Sequence, residues 1–309
     1  MMQSMDALPV VSVVLPSYNY ARLISEAIAS VQAQSVQDWE LLIVDDGSTD
    51  DSLAVIRAAC ARDARIRLFT HERQANQGLA ATLRRGLREA RAPLAAFLEA
   101  DDVFAPASLE EKLVCQRRTG AKVVFSSYAL KAEDGVDTTS LDFLRDCLRW
   151  LYAFKTAPFA LGSIELGGNV LPTFSCVLAC KETLLACDFA PPDAVWFDWW
   201  LWCQLAHEAI FAYVDAPLTL WRLHGESYNQ KTKNPALLRA AFARQLQKGW
   251  LGRHVRAGRW AFVLALTLPR LWHVCVKCLC LVRHAGLRTA VRYVQGYYSK
   301  RAAPGLWAG

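Results

Sequence analysis

Hydrophobic positions in the first 130 residues follow two alternating rhythms. Short, nearly unbroken apolar runs at Val10–Pro16, Glu40–Val44, Ile66–Thr70, Leu94–Leu98 and Lys122–Tyr128 read as buried strands. Between them lie segments with helical spacing. Ala21–Gln34 brings Leu23, Ala27, Ile28 and Val31 onto one face, and similar segments run from the Asp45–Asp50 turn through Ala61, over Gly78–Ala90, and from about Pro106 to Arg118. Strand–helix alternation with short connections predicts an α/β fold, a mostly parallel sheet flanked by helices. Beyond Ala132 the pattern is mixed. Leu141–Phe154 reads as helix, Gly162–Pro172 as loop, Phe197–His207 as a strongly apolar helix, Ala209–Val214 as strand and Ala216–Ser227 as a turn-rich loop.

Composition adds two constraints. The chain of 309 residues is 53% hydrophobic with 11 Trp, enough to bury a sizeable core and too apolar for a disordered segment. Its net charge of +6 conceals an asymmetry: up to Glu226 there are 20 Lys/Arg against 29 Asp/Glu, and from Ser227 there are 15 Lys/Arg and no acidic residue. Such a basic surface favours anionic partners. Seven of the ten cysteines stand singly among apolar residues, and the Val10–Leu15 run is too short for a secretory signal. The expected setting is reducing and cytosolic. Cys275, Cys278 and Cys280 lack a second, suitably spaced pair and read as apolar helix positions rather than a zinc site.

Chemistry gathers where the predicted strands end. Pro16–Asn19, Asp45–Asp50 and Glu99–Asp102 follow three of them, and an open parallel sheet binds its ligands outside those ends. One acidic turn would be an ordinary helix cap. Several converging on one sheet edge repel one another unless a cation or hydrogen-bond donors lie between them. A nucleotide diphosphate with Mg²⁺ or Mn²⁺ fits, because these ions take hard oxygen ligands from one or two carboxylates and from phosphate.

The stretch VSVVLPSYNYARLISEAIASVQAQSVQDWELLIVDDGSTDDS, followed in order by NQGLAATLRRGL, FLEADDVFAPASLEEKL, FDWWLWCQLA and WRLHGES, resembles the family 2 glycosyltransferases over roughly residues 9–230. The resemblance implies a GT-A-type, Rossmann-like fold. It also implies an inverting, Mn²⁺- or Mg²⁺-dependent transferase of hexosyl or N-acetylhexosaminyl type. Such an enzyme would move a single sugar from a nucleotide-sugar donor, a UDP-sugar foremost, to a hydroxyl of a saccharide or lipid-linked acceptor in cell-surface polysaccharide synthesis. Pro16, Tyr18 and Asp46 would line the nucleotide pocket, with Asp46 near the base or ribose, and Asn76 and Gly78 would also contact the donor. Glu99 and Asp101 would face the donor, Asp101 and Asp102 would form the metal and diphosphate site with His224, and Asp198 would be the catalytic base. Two positions depart from the family: Glu99 stands where Asp is usual, and Leu83, beside Arg84, where many members carry Arg.

Other readings of the same residues stay open. Asp198 also fits a helix cap, His224 a loop histidine, and Asp45, Gly47 and Ser48 plain turn chemistry. Gly167–Ser175 and Lys181 fall in the region that shapes the acceptor side, with no role for any one of them. A catalytically impaired nucleotide-sugar binder is the alternative function. A nucleic-acid partner, suggested only by the basic end, is not expected, because it leaves the acidic motifs unexplained.

The last residues predict a location. Trp260–Val282 is long and apolar, but Arg270, His273 and Lys277 inside it and Pro269 in its middle disfavour a membrane span. Arg270, His273, Lys277, His284, Arg288 and Arg292 share one helical stripe, the profile of an interfacial helix. The expected organisation is a catalytic domain over 1–230 and a basic, amphipathic helical extension over 231–309. That extension would rest on the anionic inner face of the cell membrane, or else pack its apolar faces on the catalytic domain or a second subunit.

Overall fold

The computed structural model describes residues 8–133, 171, 173–190 and 197–224, with the backbone alone at Cys203, His207 and Glu208. These residues form parts of two compact units. The first holds the chain up to Lys131, 173–190 and Ala212–Arg222; the second includes Ala132, Glu133, Leu171, 197–211, Leu223 and His224. The 230/231 boundary, the Leu141–Phe154 helix, the Gly162–Pro172 loop apart from Leu171, and the basic extension lie outside the described residues.

The first unit begins with the expected alternation: β1 (Val11–Ser17), α1 (Ile24–Gln32), β2 (Trp39–Asp45), α2 (Ser52–Arg62), β3 (Ile66–Thr70), α3 (Leu79–Glu89) and β4 (Leu94–Phe97). β1 pairs in parallel with β2 and β4, and β2 in parallel with β3. Every residue of β2 and all but Pro16 of β1 are buried, which is why both strands read as continuous apolar runs. α3 lies close over them because Gly86 has no side chain: a Cβ there would stand 2.4 Å from Val14 Cγ1.

The chain continues through β5 (Val103–Phe104), α4 (Ser108–Thr119), β6 (Val123–Ala132), β7 (Val177–Cys180), α5 (Lys181–Leu185), α6 (Phe197–Glu208) and β8 (Phe211–Leu223). One eight-stranded sheet results, in the order β3-β2-β1-β4-β7-β6-β8-β5. Its second half is antiparallel, with β7 against β4 and β6, and β5 against β8. The sheet is therefore mixed, and the parallel order expected through Lys122–Tyr128 stops at β4. A short apolar run has the same periodicity in either direction, so the pattern could not report this change. The loop expected over Ala216–Ser227 is strand as far as Leu223. The ladder to β5 is made by Thr219 and Leu220, beyond Pro217, where no proline interrupts the hydrogen bonds.

In the second unit, α6 forms where the apolar spacing predicts it and buries Trp199, Leu201, Trp202, Leu205 and Ala206. Among the described residues, no helix is long and apolar enough to cross a membrane.

A buried carboxylate lies in β2 at the end opposite Asp45. Glu40, only 1% exposed, accepts from Ser12 Oγ (2.7 Å), Arg91 N (2.6 Å), Arg91 Nε (2.8 Å) and Arg67 Nη1 (3.1 Å). Burial pushes its pKa up, but these hydrogen bonds and the Arg91 charge outweigh that and hold it below the ordinary 4.5. The stabilisation is therefore full above 4.5 and lost as pH falls through the lower folded value. Glu40→Gln should cost about 1.5–3 kcal/mol in urea denaturation at pH 7, the range for hydrogen bonds to a charged group, and the difference from wild type should shrink as pH falls below 4.5.

Candidate functional site

The loops after β1 and β2 are knitted together by short polar side chains. Asp45 accepts from Gly47 N, Ser48 N and Ser48 Oγ, closing a turn that lets the chain leave the sheet. Asn19, at φ +58°, donates its N–H to Ser48 Oγ and accepts from Thr49 N. Tyr20 N and Ala21 N donate to Ser52 Oγ and Asp50 Oδ2. Asp45 and Asp50 thus do the structural work of turn and helix start that was their alternative reading. Pro16 is half-buried at the end of β1, and Tyr18 beyond it is 45% exposed.

Asp46 is different. Its carboxylate is buried and accepts from Gln77 N (2.6 Å) and Gly78 N (2.9 Å), at the positive end of α3. Gly78 leads into that helix at φ +81°, while Asn76 and Gln77 are exposed beside it. Gly47 permits the approach: a Cβ there would lie 2.5 Å from the Gln74 carbonyl. The structure thereby joins Asp46 to the Asn76–Gly78 segment. His71 adds a contact the sequence reading missed, with Nε2 3.5 Å from Asp46 Oδ1 and 3.0 Å from Thr82 Oγ1. Leu83 is core, and Arg84 lies 5.8 Å from the Phe189 ring.

The acidic turn after β4 holds Glu99, Asp101 and Asp102. Its backbone closes through Asp102 N to the Glu99 carbonyl (3.0 Å). Asp102 is fully buried and accepts from Ser175 Oγ (2.6 Å) on one oxygen, with Thr173 Oγ1 3.3 Å from it, and from Arg222 N (3.1 Å) on the other. Burial, then the charges of Asp101 and Glu99, raise its pKa well above the carboxylate range. Glu99 donates its N–H to Ser175 Oγ and accepts on its carboxylate from Thr173 Oγ1. Arg222 Nε donates to the Asp101 carbonyl, while Nη1 pairs with Glu26 on α1 at 2.9 Å. Tyr20 OH donates to Asp101 Oδ2 at 3.2 Å, and burial, reinforced by the Asp101 charge, pushes its phenol upward.

Tyr20, Thr173, Ser175, Arg222 and Lys112 were all missed as parts of this cluster. Lys112 left one signal, a cation in the apolar stripe of α4 beside Leu109 and Leu113. It is fully buried, donating to Ser108 Oγ (3.0 Å) and the Ser175 carbonyl (3.2 Å). Lys181, placed by the sequence on the acceptor side, donates to the Ala90 carbonyl just past α3. Asp198, half-buried in the first turn of α6, and His224, buried after β8, belong to the second unit.

The donor set suits a hard divalent cation, for Glu99 and Asp101 offer carboxylate oxygens on a half-buried turn. Among the described residues no three His, Cys, Asp or Glu side chains converge on one point. Asp102, expected as a ligand, has no exposed surface and carries donors on both oxygens; a cation would have to displace them.

A mixed sheet with these loops at the ends of its parallel strands is the GT-A fold. S. aureus TarS 1-349 in complex with UDP-GlcNAc superposes with a TM-score of 0.56 at 15% identity, covering 94% of this chain and 91% of that one. The mannosyltransferase PcManGT from Pyrobaculum calidifontis, in complex with GDP-Man and Mn²⁺, gives 0.54 at 16%, covering 97% and 84%. Residues 12–165 match the family described as Glycosyl transferase family 2, and the chain carries a domain of that family. The putative teichuronic acid biosynthesis glycosyltransferase TuaG of Bacillus subtilis is 35% identical over 127 residues, 41% of this chain and 50% of that protein. The Escherichia coli UDP-Glc:alpha-D-GlcNAc-diphosphoundecaprenol beta-1,3-glucosyltransferase WfgD is 32% identical over 120 residues, 39% and 46%. The matched region thus spans about half the length of these relatives.

Burial holds the Lys112 ammonium down to about 8 and the neighbouring Cys176 thiol up to about 12. A lysine lowered in the folded state opposes folding fully below that value, and the penalty fades as pH rises toward the ordinary 10.5. Relative to Lys112→Met, the wild type should gain stability between pH 8 and 10, by at most about 1.4 kcal/mol per pH unit. Denaturation at several pH values measures this; a flat difference would contradict it.

Proposed function

We propose that the chain is a metal-dependent, inverting glycosyltransferase. It transfers a single sugar from a nucleoside-diphosphate sugar, a UDP-sugar foremost, to a hydroxyl of a saccharide or lipid-linked acceptor in cell-surface polysaccharide synthesis. The observation that carries this reading is the acidic turn Glu99–Asp102, anchored beyond β4 beside the ends of β1 and β2. The relatives support it, since one bears the name of a teichuronic acid enzyme and another that of a diphosphoundecaprenol-linked glucosyltransferase.

In this reading Pro16, Tyr18, Asp46, Asn76 and Gly78 border the nucleoside. Glu99 and Asp101 face the diphosphate and the sugar. Asp101 would hold the divalent cation, Mn²⁺ or Mg²⁺, whose charge would neutralise the diphosphate as it leaves, and His224 keeps the metal role that the family resemblance implies. Asp102 fixes the turn from beneath Asp101, as its buried hydrogen bonds favour. Asp198 accepts the proton of the acceptor hydroxyl, which attacks the anomeric carbon in line and inverts it. The basic stretch after Ser227 would keep the enzyme on the anionic inner face of the membrane, close to a lipid-linked acceptor.

Two experiments test these assignments. Asp198→Asn should lower kcat for transfer from UDP-glucose or UDP-N-acetylglucosamine by about a hundred- to ten-thousand-fold while UDP binding persists. Binding without turnover in the wild type would favour an impaired sugar-nucleotide binder. Removing residues 231–309 should abolish sedimentation with phosphatidylglycerol vesicles, and unchanged sedimentation would refute the membrane assignment.

A further inference from the structure

We propose that Ser175 is a positioning residue for the transfer site, its one hydroxyl tying both ends of the acidic turn and so setting the main chain from which Asp101 projects. The proposal rests on the glycosyltransferase reading and extends it to a residue that reading does not use. Ser175 Oγ accepts from Glu99 N (2.9 Å) and donates to Asp102 Oδ2 (2.6 Å). A serine hydroxyl has one proton, and here it goes to a wholly buried carboxylate. The serine is itself fully buried and held on every side. Its carbonyl accepts from Lys112 Nζ (3.2 Å) and Thr219 Oγ1 (2.9 Å), and its N–H donates to Thr173 Oγ1 (3.3 Å). Thr173 adds a tie of a different kind: its one hydroxyl proton goes to the Glu99 carboxylate, with Asp102 Oδ2 3.3 Å from the same oxygen. Losing the Ser175 hydroxyl strands the Glu99 N–H and removes a donor from Asp102, and the turn must shift to satisfy both. Asp101, between them, shifts with it.

The test compares the full chain with Ser175→Ala and with the near-isosteric Thr173→Val. Calorimetry measures Mn²⁺ binding to the UDP-loaded protein and UDP binding without metal. Kinetics with UDP-glucose and UDP-N-acetylglucosamine separate kcat from KM, and melting temperature reports folding. Ser175→Ala should weaken Mn²⁺ binding about ten- to a hundredfold, the range for a hydrogen bond to a charged group. UDP binding without metal should stay within about twofold, and kcat should fall more than KM rises. Thr173→Val should move the same way by less, and it carries the comparison if Ser175→Ala fails to fold. Unchanged Mn²⁺ binding in both variants overturns the proposal. So does parallel loss of UDP and Mn²⁺ binding with a collapsed melting temperature in both variants, which marks a purely structural role. A wild type that binds neither UDP nor Mn²⁺ overturns the functional reading itself.

Discussion

Three carboxylates within four residues, one of them wholly withdrawn from water, form the constraint on which the site depends. Asp102 has no exposed surface and lies beside Asp101 and Glu99, so like charges and desolvation both act against it. Such a group persists in a fold only when donors are supplied. They come from far along the chain: the Ser175 hydroxyl from the segment before β7, and the Arg222 N–H from β8. Both segments are held by the antiparallel half of the sheet, β7 against β4 and β8 against β5. The change of strand direction is thus what brings donors to the acidic turn.

The loops after β1 and β2 combine short turn bonds, as in Asp45 to Gly47 and Ser48, with bonds between neighbouring loops, as in Asn19 to Ser48 and Tyr20 to Ser52. Asp46 then uses the N-terminus of α3, where peptide N–H groups lack helical partners and the helix dipole favours an anion. Gly47 makes that approach sterically possible. One half of the site therefore joins turns that follow neighbouring parallel strands, and the other draws support for a charged turn from segments much farther along the chain.

This division explains what could be read from the residues alone. The strands through Leu98, their helices, and the clusters at Asp45–Asp50 and Glu99–Asp102 show in local periodicity and turn composition. The contact between Asp46 and the Asn76–Gly78 segment agrees with both having been singled out. The antiparallel half did not show, because a short apolar run carries no sign of direction and the turn residues over Ala216–Ser227 read as loop. Ser175 and Thr173 were invisible as individuals, since a hydroxyl gains meaning only from the buried acid it meets. Lys112 and Arg222 did leave a trace, as cations in otherwise apolar runs, and buried cations call for partners.

The central claim is that Asp101 presents itself to a metal-bound diphosphate while Asp102 holds the turn. Anomalous diffraction at the manganese edge, from crystals of the chain grown with UDP and Mn²⁺, tests it most directly. The account predicts a manganese peak bonded to Asp101 and diphosphate oxygens, with Asp102 still accepting from Ser175 and the Arg222 N–H. A manganese ion ligated by Asp102 with Ser175 displaced, or UDP bound away from the ends of β1, β2 and β4, would contradict it.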